Sequence, residues 1–415
     1  MLPASTIDII KATVPALAAH GETLTRHFYR RMFTGNPEVK AFFNPAHQHT
    51  GSQQRALAAA ICAYAAHIER PEALAEAIEL IAQKHASLGV MPEHYPIVGQ
   101  HLLASIREVL DDAATDDVVN AWAAAYGVLA DVLIRREAEI YRDHEASHGW
   151  RGFEPFVVAE KRPESRTITS FHLAPKSGTA LRAFTPGQYI TVRVPGPEEA
   201  TTMRNYSLSG RPGTECYRIS VKRESGLAAD APVGHVSNYL HDRVVVGDTI
   251  EVGPPCGEFT LDAREGARRP LVFISGGVGI TPVLSMLHAA VALGRRDRDI
   301  WFIHGAINGD SHAFRTEVLE LAAAHPRVHA HFRYSEPTSG DREHELFHSE
   351  GFINANTVRS LIGGPDADFY LCGPKPFMAG LLHELPAWGV DPMRLRHEFF
   401  GPAQQLQPGA AIDIG

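Results

Sequence analysis

The sequence predicts a multidomain chain: an all-α domain, then a small antiparallel β-barrel, then an open parallel α/β sheet. Three changes of texture predict it. Residues 1 to about 145 are rich in alanine and leucine and keep apolar side chains at helical spacing, with proline and glycine mostly at the breaks. From Gly152 to about Leu261 short β-branched and aromatic runs, "FVVAEKRP", "TITSFHLAP", "GQYITVRVP", "CYRISVKRE" and "DTIEVGPP", are separated by proline and glycine, as in a barrel of short strands. From Arg269 onward "PLVFIS", "DIWFIHGA", "RVHAHFRY" and "DFYLCG" alternate with helical segments, the rhythm of a parallel sheet. The expected boundaries are 1–145, 152–262 and 268–402, with a tail at 403–415 and a polar first linker at 142–152.

With 415 residues, 44% of them hydrophobic, the chain is long enough for two or three cores. A formal charge of -9 without a long basic run argues against a nucleic-acid partner. Cys62, Cys216, Cys256 and Cys372 lie far apart with no CxxC spacing, which suggests neither a disulfide framework nor a zinc knuckle and fits a reducing cytoplasm. The first residues do not read as a secretion signal. The uncharged stretch Pro270 to Gly294 is broken by "SGGVGITP" into a β-run and a helix, so no membrane span is expected. A monomer is expected.

Within the helical part, Leu74, Ile78, Ile81, His85 and Leu88 recur at spacings that put the histidine on an apolar stripe. Gly89 and Pro92 separate that helix from the next, where Tyr95, Val98, Leu102, Ile106 and Val109 share a face. A later helix carries Trp122, Tyr126, Leu129, Leu133, Glu137 and Ile140 in the same phase, so a carboxylate sits on a greasy face and needs a partner. Gln53 extends the stripe of Leu57, Ile61, Tyr64 and Ile68. Taken singly, each polar group reads as an ordinary core residue with its own hydrogen bonds. Taken together on four helices, they suggest a metal macrocycle, with neutral His85 as axial ligand and Gln53 on the opposite side.

"HFYRRMF", "AFFN", "GSQQRAL", "QKHASLG", "PEHYPIVG" and "RREAEIY" make residues 1 to 145 resemble a globin, and the entire chain resembles the bacterial flavohaemoglobins, also called nitric oxide dioxygenases. The resemblance implies one haem b, with His85 as proximal ligand and Phe43 packed on the porphyrin. Tyr29, Gln53 and Leu57 would shape the distal pocket, the first two donating hydrogen bonds to bound dioxygen and the leucine limiting room. Tyr95 and Glu137 would form a proximal set with His85 that makes the imidazole more electron-donating, a feature of an oxygen-activating enzyme. Without that context Tyr29 reads as core filler and Glu137 as a helix-surface charge.

In the second half "MRNYSLSG" resembles the RxYS element of the ferredoxin reductase-like flavoproteins. Its Arg204 would neutralise an FAD pyrophosphate, while Asn205, Tyr206 and Ser207, with Tyr189 of "PGQYITV", would lie about the flavin. "GHVSNYLHD" offers a helix start for a flavin phosphate beside Ser237 and Asn238. "LVFISGGVGITPVLSML" is a strand, a glycine turn and a helix; it lacks a P-loop ending and differs from GxGxxG. By the resemblance its Gly276, Gly277, Val278, Gly279, Ile280 and Thr281 would take the phosphates of NADH or NADPH, with Cys372, Gly373 and Pro374 bordering the nicotinamide. "HEFFGP" matches the carboxy-terminal signature, implying that Glu398, Phe399, Phe400, Gly401 and Pro402 lie near the flavin, with Glu398 and Lys84 by the flavin–haem gap. Arg204, Lys84, Glu398 and Ser237 also read as a strand-edge charge, two surface charges and a helix cap.

The resemblance implies a relay from NAD(P)H through FAD to haem, which converts nitric oxide and oxygen to nitrate in nitrosative stress defence. The alternatives are a flavohaem reductase of peroxides, quinones or iron, and an oxygen- or gas-binding sensor. A fused reductase argues against storage, since a carrier needs no continual supply of electrons.

Overall fold

The computed structural model describes residues 2–43, 48, 51–196, 202–225, 233–261, 269–293 and 298–400. In the first part the alanine- and leucine-rich segments wind into helices α1 (Ala4–Gly35), α2 (Ser52–Ala66), α3 (Ala75–Leu88), α4 (His94–Leu110) and α5 (Asp116–His148). Their core is aliphatic and aromatic, with Ile10, Leu24, Phe28, Met32, Ile106 and Trp122 all but inaccessible. Helix α5 starts on the Thr115 side chain, which accepts from the Val118 amide, and carries Asp116 and Asp117 in its first turn, where carboxylates suit the helix dipole.

Helix α5 corrects the expected linker at 142–152. It continues to His148 because one face stays buried there: Tyr141, just before the polar run "RDHEASH", and His144 within it are enclosed. The connection to the barrel starts only at Gly149. Polar and aromatic residues do the packing there, so an aliphatic periodicity was not available to reveal the helix. Among the described residues this helix alone is long and apolar enough to cross a membrane, and its apolar face packs in the helical core.

The second part forms β1 (Glu154–Pro163), β2 (Ile168–Pro175), β3 (Tyr189–Arg193), β4 (Met203–Ser207), β5 (Tyr217–Lys222), helix α6 (His235–Asp242) and β6 (Thr249–Val252). The six strands lie in the order β4-β3-β6-β1-β2-β5, and the pairs in register are antiparallel. A bridge between Leu208 and Ile219 joins the two outer strands and closes the sheet, which removes its open edges.

In the third part β7 (Leu271–Gly276), α7 (Ile280–Ala292), β8 (Ile300–Ala306), α8 (Arg315–Ala324), β9 (Val328–Tyr334), α9 (Ser339–Glu343), β10 (Ser349–Glu350), α10 (Ala355–Ile362), β11 (Asp368–Cys372), α11 (Lys375–Trp388) and β12 (Leu395–Glu398) build a parallel sheet ordered β10-β9-β8-β7-β11-β12. Strand order reverses between β7 and β11, which opens a crevice at their carboxyl ends. Strands β10 and β12 had no counterpart in the sequence reading. They are short edge strands of mixed polarity, where periodicity carries no signal.

Side chains tie the three parts together. Arg218 on β5, almost wholly buried, makes a two-pronged ion pair with Glu317 on α8 at 2.8 Å and 2.8 Å, and Glu317 also meets His288 of α7 at 2.5 Å. His144 of α5 approaches the buried Cys256 thiol of the barrel at 3.5 Å. Helix α3 docks on the barrel through Gln83, which accepts from the Gly257 amide at 3.3 Å, and through Ser87, which Asn205 approaches at 3.5 Å.

Candidate functional site

His85 projects from α3 with its Nδ1 held. The ring nitrogen lies 2.8 Å from Glu137 Oε1 on α5 and 3.1 Å from the Tyr95 hydroxyl at the start of α4, and that hydroxyl donates to the same Glu137 oxygen at 2.5 Å. The Glu137 side chain is only 2% exposed, whereas that of His85 is 34% exposed. A buried carboxylate requires donors, and here His85 N–H and Tyr95 O–H supply them. The proton is thereby placed on Nδ1, leaving the Nε2 lone pair as the ring's available ligand. Burial, reinforced by the Glu137 bond, raises the Tyr95 phenol well above its ordinary value, so it stays a donor. Tyr126 supports the arrangement by donating to the Tyr95 carbonyl at 2.6 Å. The large residues of the predicted α3 stripe are half-buried, while Ala82, Ala86 and Ser87 are the enclosed ones.

Tyr29 of α1 stands in a cluster of aromatic rings, edge-on to Phe43 at 5.5 Å and to Phe28 at 5.0 Å. Its hydroxyl has no hydrogen-bond partner among the described residues, and burial raises its pKa. Leu57 is half-buried in the same core. Gln53 accepts from the Gln48 amide at 3.0 Å, which occupies the oxygen of Gln53 and leaves its own N–H groups as donors. Sequence reasoning missed the neighbouring Gln54, which is 6% exposed, donates to Gln48 Oε1 at 2.7 Å and receives the Thr25 hydroxyl on its carbonyl at 3.0 Å. Two adjacent glutamines gave no sign of which would be enclosed.

On the barrel, β3 pairs with β4 so that Tyr189 faces Ser207, Thr191 faces Asn205 and Val192 faces Arg204. Burial lowers the pKa of the Arg204 guanidinium and raises that of Tyr206, whereas Arg204 donates to the Met203 carbonyl at 2.7 Å. Ser237 and Asn238 spend their side chains locally, on the Gly234 carbonyl and on Glu224, so only backbone amides at the start of α6 remain for an anion.

Lys84, Tyr189, Cys372 and Glu398 converge where the three parts meet. Lys84 keeps accessible surface, yet protein surrounds its crevice, so burial lowers its pKa while Glu398 opposes the shift. Burial likewise pushes the Glu398 carboxyl up to about 7 against the pull of Lys84, and its Oε2 is enclosed without a hydrogen-bond partner. Tyr189 is raised by burial first and then by the nearby charges of Cys256 and Glu398. Ser87, which sequence reasoning also missed, lies beside Tyr189 and, through the approach of Asn205 at 3.5 Å, links β4 to the helix that carries His85.

The turn after β7 meets the turn after β11. A Cβ on Gly279 would fall 2.3 Å from the Cys372 carbonyl oxygen, so only glycine lets the two turns approach this closely. Gly277 has φ +53 and open space beside it, which suits a backbone that must face a ligand. Val278 packs on the core of the sheet, while Ile280 and Thr281 are buried at the start of α7, with the Thr281 hydroxyl turned back to the Val278 carbonyl at 3.0 Å. Pro374 opens α11 next to Gly373. Phe399 is half-buried and Phe400 is half exposed. Gly401 and Pro402 lie outside the described residues.

Comparison with known proteins divides the chain in the same way. Residues 26–133 match the globin family, 155–261 the oxidoreductase FAD-binding domain and 273–382 the oxidoreductase NAD-binding domain. The chain is 51% identical over 407 residues to a flavohemoprotein of Rhodopirellula baltica, an alignment covering 98% of this chain and 99% of that one. It is 49% identical to a flavohemoprotein of Halalkalibacterium halodurans over 98% of each chain. Among solved structures, the flavohemoglobin of Malassezia yamatoensis with bound FAD and heme superposes with a TM-score of 0.82 at 26% identity, covering 96% of this chain and 100% of that one. The FAD/NAD-binding domain of a nitric oxide dioxygenase from Vibrio cholerae matches 60% of this chain and 99% of its own length, at 35% identity and a TM-score of 0.53. Globin helices with a carboxylate-held imidazole, a closed flavin barrel and a glycine-turn sheet on one polypeptide, together with these full-length relatives, place the chain in the flavohemoprotein family.

Proposed function

We propose that the protein is an NAD(P)H-dependent nitric oxide dioxygenase that converts nitric oxide and oxygen to nitrate and serves nitric oxide detoxification. The observation that carries this reading is the His85–Glu137–Tyr95 set, built on the same polypeptide as a reductase whose parts meet α3. A carrier has no use for either. The residues fit haem: among the described residues one imidazole keeps an Nε2 with no hydrogen bond, and a tyrosine hydroxyl in the same helical part has no partner. They fit a flavin as well, since a desolvated guanidinium and uncapped helix amides flank the β3–β4 pair.

When bound, haem supplies the iron at which oxygen reacts, and FAD divides the two-electron input of NAD(P)H into single electrons. His85 would hold the iron through Nε2, with Glu137 keeping the Nδ1 proton engaged so that the ring would donate more strongly. Tyr29 and Gln53 would offer O–H and N–H donors to a partly negative ligand, and Leu57 would limit its size. Arg204 balances the flavin pyrophosphate, while Tyr189, Tyr206 and Ser207 flank the ring system. The 276–281 turn holds the dinucleotide phosphates through backbone amides, with Cys372, Gly373 and Pro374 at the nicotinamide. Lys84 and Glu398 set the electrostatics of the gap between flavin and haem.

The test follows NAD(P)H oxidation under air, with and without nitric oxide, while nitrate is measured. Nitrate formed in step with dinucleotide consumption is the expected result. Consumption indifferent to nitric oxide would overturn the reading in favour of a general flavohaem reductase.

A further inference from the structure

The carboxylate behind His85 has two oxygens, and its protein contacts use one of them. His85 Nδ1 and the Tyr95 hydroxyl both bond to Glu137 Oε1. Oε2 has no hydrogen-bond partner among the described residues, yet it is not one of the fully enclosed polar atoms that lack a partner. It must therefore touch open space, although the residue as a whole is buried.

Glu137 also lines a cavity of about 230 Å³ between the segment just before α4 and the second half of α5. Glu137 and Tyr141 line its enclosed floor, and Arg142, Glu145 and Arg151 form an exposed rim. Neither His85 nor Tyr95 nor any distal residue lines it, so it is separate from the space before His85. The Tyr141 hydroxyl is already committed, donating to the Val90 carbonyl at 2.7 Å, and does not serve Oε2. A carboxylate oxygen without a donor is costly, and a cavity of this size with a carboxylate in its wall and a charged rim has room for several waters.

We infer that this cavity is a water site on the proximal side, in which a water molecule donates to Glu137 Oε2 and exchanges with solvent past the charged rim. A donor on Oε2 draws negative charge away from Oε1. The pull of Glu137 on the His85 N–H then depends on whether the cavity is wet, which makes its hydration a control on how strongly the imidazole donates. The water site stands on the geometry alone; its consequence rests on His85 being the axial haem ligand.

A high-resolution crystal structure of the holoprotein tests the site, and the iron–histidine stretching band of the ferrous holoprotein tests the consequence. Ala138 and Ile134 line the cavity and have no polar side-chain atom in the hydrogen-bonded set, so Ala138→Leu and Ile134→Phe fill it by different routes. The expected result is an ordered water on Oε2 in the unaltered protein, with a shift of the band to higher frequency in the filled variants. A dry Oε2 overturns the site whether or not either variant folds, and a band at the same frequency in folded, filled variants overturns the control. Absence of the band from the unaltered protein would instead sink the axial role of His85, leaving the crystallographic result to decide the water.

Discussion

The two faces of the proposed haem site are built by opposite rules. On the His85 side each polar group answers another: two donors converge on one carboxylate oxygen, and Tyr126 fixes the backbone behind them. On the Tyr29 side aromatic packing holds the ring while its hydroxyl has no partner among the described residues. A face that fixes an iron ligand gains from satisfied hydrogen bonds, because each rigidifies the imidazole. A face that must recognise a transient small ligand keeps its donors uncommitted and accepts the stability cost of doing so.

The comparison breaks most sharply at His85. Replacing it with alanine is expected to weaken haem retention by more than roughly 100-fold, above the range for outer partners, as measured by haem content and the Soret band after gel filtration; full retention would show that another residue holds the iron. Glu137→Gln comes next. It should cost about 10- to 100-fold in haem affinity and lower the iron–histidine stretching frequency, since an amide pulls less on Nδ1–H than a carboxylate does.

One chemical change applied to both faces sharpens the contrast. Tyr95→Phe removes a bond to a buried carboxylate and should destabilise the fold by roughly 1.5–3 kcal/mol, whereas Tyr29→Phe should leave stability within about 0.5 kcal/mol and act on oxygen dissociation. Equal losses in denaturant titrations would erase the distinction between the faces.

The smallest effect lies behind the proximal helix, at Glu398. Its folded pKa of about 7 exceeds the ordinary 4.5, so its contribution to stability is complete below 4.5 and is lost as pH rises through about 7. The difference in thermal midpoint between the unaltered protein and Glu398→Gln should therefore shift against the unaltered protein across that window, and a flat difference would mean that the carboxyl is well solvated.

Much of the architecture was legible along the chain because each part obeys its own period. The spacing of Tyr95 to Val109 and of Trp122 to Ile140 marked helices, and the first runs of both sheets fell where expected. Edge strand β12 and the last turns of α5 were not legible, since short or polar elements owe their form to neighbours. In the site, "QKHASLG" pointed to His85, and the inward phase of Tyr95 and Glu137 marked them as polar groups needing partners. Ser87, Gln54 and the closeness of Lys84 to Glu398 had no comparable signal, because a serine, a second glutamine or a lone charge gains meaning only from what stands opposite.

Periodicity, turn residues and motif spacing were enough to determine the succession of helical, barrel and parallel-sheet parts. These are local properties, decided within a few residues by backbone geometry and by which face is apolar. Only the tertiary structure decided that Glu137 spends one oxygen and not the other, that Tyr29 is unanswered, and that residues 84 and 398 share one crevice. Hydrogen bonds and desolvation act over a few ångströms between groups tens to hundreds of residues apart, so they arise only when the chain has closed on itself.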